Sequence, residues 1–307
     1  MPMVPPQPVA GAGGFDYMTV DAVRRRVYAA HSGARALLIL DADTGSVLGQ
    51  VTVGPMHGVA VDTASGYVYT GNGEDETISE VDPVAMRVRR TSPKLGGAID
   101  AIVFDPAARQ IYADEDDGTH MYIVDTIAMQ PRQPLELPGH KPEYLQVDDD
   151  NHLVYQNIDD LGEIVVIDPT TEKTIRTIVT PQFTHNHPLQ FDYLYHVLVA
   201  GGTGGAAGIL ASYAMNATLL NQIPVPRFDQ CDLDPIAHVL ACAGGGGITR
   251  IQIGSNGVLT TIDTTPVAAG VHTVAIDPKS HAVYTVWYDK TAGQAYTQAF
   301  RPTPPAR

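Results

Sequence analysis

One short pattern recurs seven times along the 307-residue chain: an ionisable residue, then alternating apolar positions, then Asp at the fifth place. It reads Asp16-Tyr-Met-Thr-Val-Asp21, His57-Gly-Val-Ala-Val-Asp62, Asp100-Ala-Ile-Val-Phe-Asp105 and Glu143-Tyr-Leu-Gln-Val-Asp148. It continues with His187-Pro-Leu-Gln-Phe-Asp192, Asp229-Gln-Cys-Asp-Leu-Asp234 and His272-Thr-Val-Ala-Ile-Asp277. Successive copies begin 41 to 44 residues apart, the period of a four-stranded propeller blade. The Asp at the fifth place starts a turn, because its carboxylate can accept from the backbone ahead. A second β-rich run follows in each unit, as at Val27-Tyr28, Val68-Tyr69 and Val283-Tyr284. Third and fourth runs follow, as at Leu37 to Leu40 and Val47 to Val53. With no helical period, the spacing predicts an all-β chain: one seven-bladed β-propeller domain over residues 1–307, with four antiparallel strands per blade.

The last unit, His272 to Phe300, has room for three strands. An open ring would leave unpaired sheet edges, so Met3 to Ala10 is expected to close the seventh blade as its outermost strand. Prolines are tolerable at such an edge.

Val68-Tyr69-Thr70-Gly71-Asn72, Val154-Tyr155-Gln156-Asn157 and the run Glu163 to Thr170 resemble the YVTN-type seven-bladed propeller family. The starts Phe15-Asp16-Tyr17, His57-Gly58, Asp100-Ala101-Ile102 and Pro142-Glu143 are similar to one subgroup of it. The resemblance covers Phe15 to Arg301 and implies the propeller fold. For function it implies a range, from binding proteins and exported proteins to lyase-like and lactonase-like enzymes.

The ring position carries the chemistry. Positions two and four beyond it are apolar in all seven units, from Met18 and Val20 to Val274 and Ile276, and period-two logic puts the ring residue on their face. Yet it reads Asp, His, Asp, Glu, His, Asp, His. Seven ionisable side chains are therefore expected to converge where the inner strands enter the channel. Crowded carboxylates raise one another's pKa or hold a cation. Imidazole favours Zn, Cu, Fe or Ni over Ca²⁺ and Mg²⁺. His57, His187 and His272 lie on well-separated blades, so the expected cofactor is a divalent transition metal on these three, with His185 as a fourth nitrogen. Glu143, Asp16, Asp100 and Asp229 are the candidate catalytic carboxylates. His31, Asn72, Asp114, His140, Asn157 and Tyr288, near the same face, are candidate substrate contacts.

The expected function is metal-dependent chemistry on a small molecule, lyase- or hydrolase-type, with the metal as Lewis acid. Oxidation by Cu or Fe on the same ligands is one alternative. A non-catalytic ligand- or protein-binding scaffold, or a wet structural channel, is another. The net charge of −15 repels nucleic acid and anionic lipid, so neither a nucleic acid nor a membrane is an expected partner. No run of about eighteen apolar residues is present to cross a bilayer as a helix. The Pro- and Gly-rich start, Met1 to Gly14, lacks a signal-peptide pattern. A cytosolic protein and a processed exported one both fit, and the family resemblance favours export. Cys231 and Cys242, facing each other across a turn, are expected as reduced core residues with a disulfide as the alternative. His152, His238 and His281 fall in turns on the opposite face and are expected to be solvated. The stretches Gly201 to Gly208 and Gly244 to Gly247 lead into no helix, so they read as blade loops and not as phosphate loops.

Overall fold

A computed structural model describes residues 2–301. Seven antiparallel sheets are arranged as the blades of a propeller, each running from an inner strand to an outer one. The inner strands are Met18–Asp21, Met56–Val61, Ile99–Asp105, Pro142–Asp148, Leu189–Asp192, Gln230–Asp234 and Thr273–Ile276, in blades 1 to 7. In blade 3 the outer position is filled by two short pieces, Gln130–Pro131 and Leu135–Glu136. Pro131 and Pro134 lie there, and proline lacks the N–H that a continuous ladder needs.

The ring closes at its ends. Gln7–Val9 pairs with Gln294–Phe300 as the outer strand of blade 7, in the register Gln7 opposite Thr297 and Val9 opposite Ala295. The Gln294 side chain donates to the Val9 carbonyl at 2.7 Å, and Val9 itself is buried. Only chain ends that meet in one sheet remove both free edges.

The core lies between blades. Second-strand tyrosines Tyr28, Tyr69, Tyr112 and Tyr284 are fully buried, and apolar positions of neighbouring inner strands pack against them. Burying each such side chain stabilises the fold by about 2 kcal/mol.

At the far end of the inner strands the fifth-place Asp residues form a belt. All seven are buried, and one oxygen of each accepts turn N–H groups, as Asp277 does from Lys279. The other oxygen commonly meets the next blade. Arg109 reaches Asp62 at 3.0 Å, His238 reaches Asp192 at 2.7 Å, His281 reaches Asp234 at 2.6 Å, and Arg25 of blade 1 closes the circle on Asp277 at 2.7 Å. His152 stands 3.8 Å from Asp105. His238 and His281 are thus blade-to-blade links, whereas His152 is an exposed turn residue, as expected, and makes no hydrogen bond to Asp105; His238 also stacks on Tyr195 at 3.7 Å.

Cys231 and Cys242 are directly opposed across paired strands of blade 6, with Cα atoms 4.0 Å apart, and they form a disulfide. This corrects the expectation of reduced thiols: opposed positions on adjacent strands hold the two sulfurs at bonding distance.

Candidate functional site

Bulges aim three of the ring residues. In blade 2 the register passes from Met56 opposite Asn72 to Val59 opposite Thr70, so His57 and Gly58 share one opposing place. Asp100 with Ala101 in blade 3, and Glu143 with Tyr144 in blade 4, sit in the same irregularity. An extra residue bends the strand and redirects its side chain. In blades 1, 5, 6 and 7 the regular inner strand begins just after the ring residue. The period-two argument therefore does not apply at the ring: these side chains owe their direction to a bulge or a strand end. Gly58 has a local reason, since a Cβ there would stand 2.5 Å from the Asp100 carbonyl oxygen.

The bulge of blade 3 is braced from the second strand. Asp114, fully buried, accepts the Ala101 N–H at 2.7 Å, and its other oxygen takes the Gln156 amide at 3.1 Å. Gln156 also donates to the Glu143 carbonyl and so ties blade 4 to blade 3.

Above this brace Asp16, His57 and Asp100 come together, each able to present a ligand atom within 4.8 Å of the others. His57 Nδ1 lies 2.8 Å from Asp16 and 3.8 Å from Asp100. Gln230 donates to the second Asp16 oxygen at 3.0 Å, and the Tyr17 hydroxyl faces Asp100 at 3.4 Å. Beside them His187 Nε2 lies 3.3 Å from Glu143, while His187 Nδ1 is buried with no hydrogen-bond partner among the described residues.

The electrostatics follow from crowding. Burial, then the charges of Asp16 and Glu143, holds the Asp100 carboxyl well above the ordinary range. Asp114 is raised by burial and by Asp100. Burial, with Asp159 next, pushes Glu143 up to about 8. The hydrogen bond to Asp16 raises His57 against the effect of its own burial. A mouth built this way holds protons or a cation, since its carboxyls cannot all ionise side by side.

The other residues singled out from the sequence are dispersed. Both ring nitrogens of His272 face carbonyl oxygens, Gly270 at 3.1 Å and Phe15 at 3.0 Å. Among the described residues, the group with three or more candidate ligand atoms at metal-binding spacing is Asp16, His57 and Asp100, not three imidazoles. His185 is exposed and pairs with Asp159 at 3.3 Å. His31 is buried, stacked on Phe15 at 4.0 Å, and burial lowers its pKa. Asn72 uses its amide on Thr77 and Ser79, and Asn157 donates to the His187 carbonyl at 2.8 Å. Asn72 thus ties side-chain hydroxyls together within its blade, and Asn157 braces the backbone of the next one. His140 is exposed, with its N–H on Asp160. Tyr288 lines a cleft of about 700 Å³ together with Asp229 and His272. A second cleft of about 330 Å³ is lined by Glu143, His187, His185 and Asp229.

Tyr17 and Gln156 carry no site expectation from the sequence, and Asp114, expected as a substrate contact, is instead a fully buried brace. The available signal was positional: Gly71, Asp114 and Asn157 occupy equivalent places opposite the three bulges. A buried acid at a place otherwise filled by Gly and Asn marks the odd blade.

No family model matches this chain, and no curated protein matches it; likeness to YVTN-type propellers therefore stays at the level of fold. Among solved structures the chain is similar to one titled Kuenenia stuttgartiensis hydrazine synthase, with TM-score 0.82, 14% identity and 97% of each chain covered. It is also similar to one titled U3-55K, with TM-score 0.76 and 11% identity, over 96% of this chain and 100% of that one. At such identities each likeness speaks for the fold alone, and the chain stands as a seven-bladed β-propeller with an acidic channel mouth.

Proposed function

We propose that the channel mouth binds one divalent metal ion through Asp16, His57 Nδ1 and Asp100 and acts on a small molecule, with Glu143 as general acid or base. The grouping of those three side chains carries the reading. Two carboxylates and one imidazole suit Zn²⁺, Mn²⁺ or Fe²⁺ better than soft Cu⁺. A metal there would neutralise the charge that crowding now balances with protons, and would polarise a substrate oxygen. Glu143, with a pKa near 8 and His187 against it, is poised to move a proton near neutral pH. Lyase or hydrolase chemistry needs no more than this. The hydrazine synthase among the similar structures is an enzyme by its title, but the proposal rests on the residues of this chain.

Metal-stripped protein titrated with Zn²⁺ and Mn²⁺ is expected to take up one equivalent, and His57→Ala and Asp100→Asn to lose it with the fold intact. Wild-type protein that refuses both ions would leave the mouth a proton-loaded polar channel and sink the proposal.

A further inference from the structure

The larger cleft carries the opposite sign from the rest of the mouth. Arg227 and Lys290 both line it, and among the described residues neither has a hydrogen-bond or ion-pair partner. On a chain of net charge −15, whose channel mouth is crowded with carboxyls, two uncommitted cations facing one cleft form a local site for negative charge.

The seat of Arg227 is built. The Phe228 ring fills the space left by two glycines of blade 5: a Cβ on Gly201 or Gly208 would meet it at 2.9 or 2.4 Å. On the other side Gly244 lies under the Phe228 backbone, where a Cβ would be 2.6 Å from its Cα. Gly244 and Gly245 take φ of +154° and +58°, which glycine adopts without penalty. The glycine-rich stretches of blades 5 and 6 thus fix the backbone of Arg227 and Phe228, from which the exposed Arg227 side chain reaches the cleft. The same segment borders the smaller cleft with Glu143 and His187. A molecule anchored at Arg227 therefore lies beside the proposed acid–base pair.

We propose that this cleft binds the carboxylate of a small organic monoanion, through Arg227 in fork geometry and Lys290 as a point charge. Asp229 in the same cleft sets the charge: two cations and one carboxylate leave a single net positive charge, which suits a monoanion and disfavours a phosphate dianion. The inference deepens the reading of the mouth as a small-molecule site, but anion binding does not need the metal.

The test is calorimetric titration of metal-stripped protein with lactate and benzoate, against lactamide, benzamide and inorganic phosphate. Saturable binding of the carboxylates, absent for the amides, is expected. Arg227→Gln and Lys290→Ala should each weaken it at least fivefold with unchanged melting, since both side chains are exposed. The single tryptophan, Trp287, with Cδ1 3.7 Å from a Cβ placed on Gly270 in the cleft wall, gives a second readout by fluorescence. His57→Ala is expected to keep carboxylate binding while losing metal, so the two proposals fail separately. Equal binding of amides, tighter binding of phosphate, no saturable binding, or affinity retained in both cation variants would each overturn the inference.

Discussion

The two ends of the inner strands carry two rings of ionisable residues, and their carboxyls behave oppositely. At the belt each Asp is surrounded by donors: turn N–H groups on one oxygen and, at Asp62, Asp192, Asp234 and Asp277, an Arg or His of the next blade on the other. At Asp277 burial pushes the carboxyl up, but Arg25, Ser280 and the Lys279 N–H more than offset it and hold it below the ordinary range. At the mouth burial comes first and other carboxyls add to it, so Asp100, Asp114 and Glu143 are raised even though Asp16 has His57 and Gln230 as partners and Glu143 lies against His187. The same residue type stabilises at one end and is held at a cost at the other. Such a cost at one end only is consistent with the binding role proposed for the mouth.

The hardest blow to this contrast would come from Asp277→Ala. It removes the buried carboxylate that holds Arg25, Lys279 and Ser280 and leaves the largely buried Arg25 guanidinium with the exposed Asp43 alone, a loss of about 3 kcal/mol. A fall in melting temperature on the order of 10 °C is expected, against a change of at most a few degrees for Asp229→Ala at the mouth. Similar losses from both would erase the distinction. Next in size is His238→Ala, which strips Asp192 of a 2.7 Å bond and removes the stack on Tyr195. Its expected cost is about 1–3 kcal/mol by denaturant titration, with His187→Ala near zero.

The fold was legible because a spacing of 41 to 44 residues and the alternation behind it are local and survive any sequence drift at the surface. Closure by the N-terminal strand followed from counting strands in the seventh unit. The site was legible in its residues and not in its geometry. A bulge at His57, Asp100 or Glu143 has no marker in an apolar alternation, so side-chain direction at the ring could not be read. His272 was matched to its blade, but the carbonyls that occupy its ring come from Gly270 and from Phe15, at the far end of the chain. The belt was legible and passed over: the fourth residue after the fifth-place Asp is Arg25, Gly66, Arg109, His152, His196, His238 and His281 in turn.

Acidity sharpens the comparison further. A carboxyl whose folded pKa lies above its unfolded value contributes most below the unfolded pKa and loses that contribution as pH rises through the folded one. For Glu143 the window runs from 4.5 to about 8. In metal-stripped protein, Glu143→Gln should match wild type at pH 4.5 and melt about 2–4 °C higher at pH 8.5. The belt runs the other way: the depressed pKa of Asp277 makes its contribution full at neutral pH and lost as pH falls below 3.8. A Glu143→Gln advantage that is independent of pH would mean that the mouth is not charge-crowded.

The smallest effect tests how the belt is held. The seven residues four places after the belt Asp all have left-handed backbone, with φ +57° at Arg25, +52° at His196 and +60° at His281. Blade 2 has Gly66, because Arg24 of blade 1 crosses there: a Cβ would lie 2.2 Å from its Nε. Glycine relieves this conformation elsewhere too, so six blades keep Arg or His at a strained corner. His281 gains a 2.6 Å bond to Asp234 in exchange, whereas His196 has no hydrogen-bond or ion-pair partner among the described residues. His281→Gly should therefore destabilise, though by about 1 kcal/mol less than His281→Ala, which keeps the strained backbone and loses the bond. His196→Gly should leave stability unchanged or raise it. If His196→Gly destabilises as much as His281→Gly, the corner residues act through something other than the cross-blade bond.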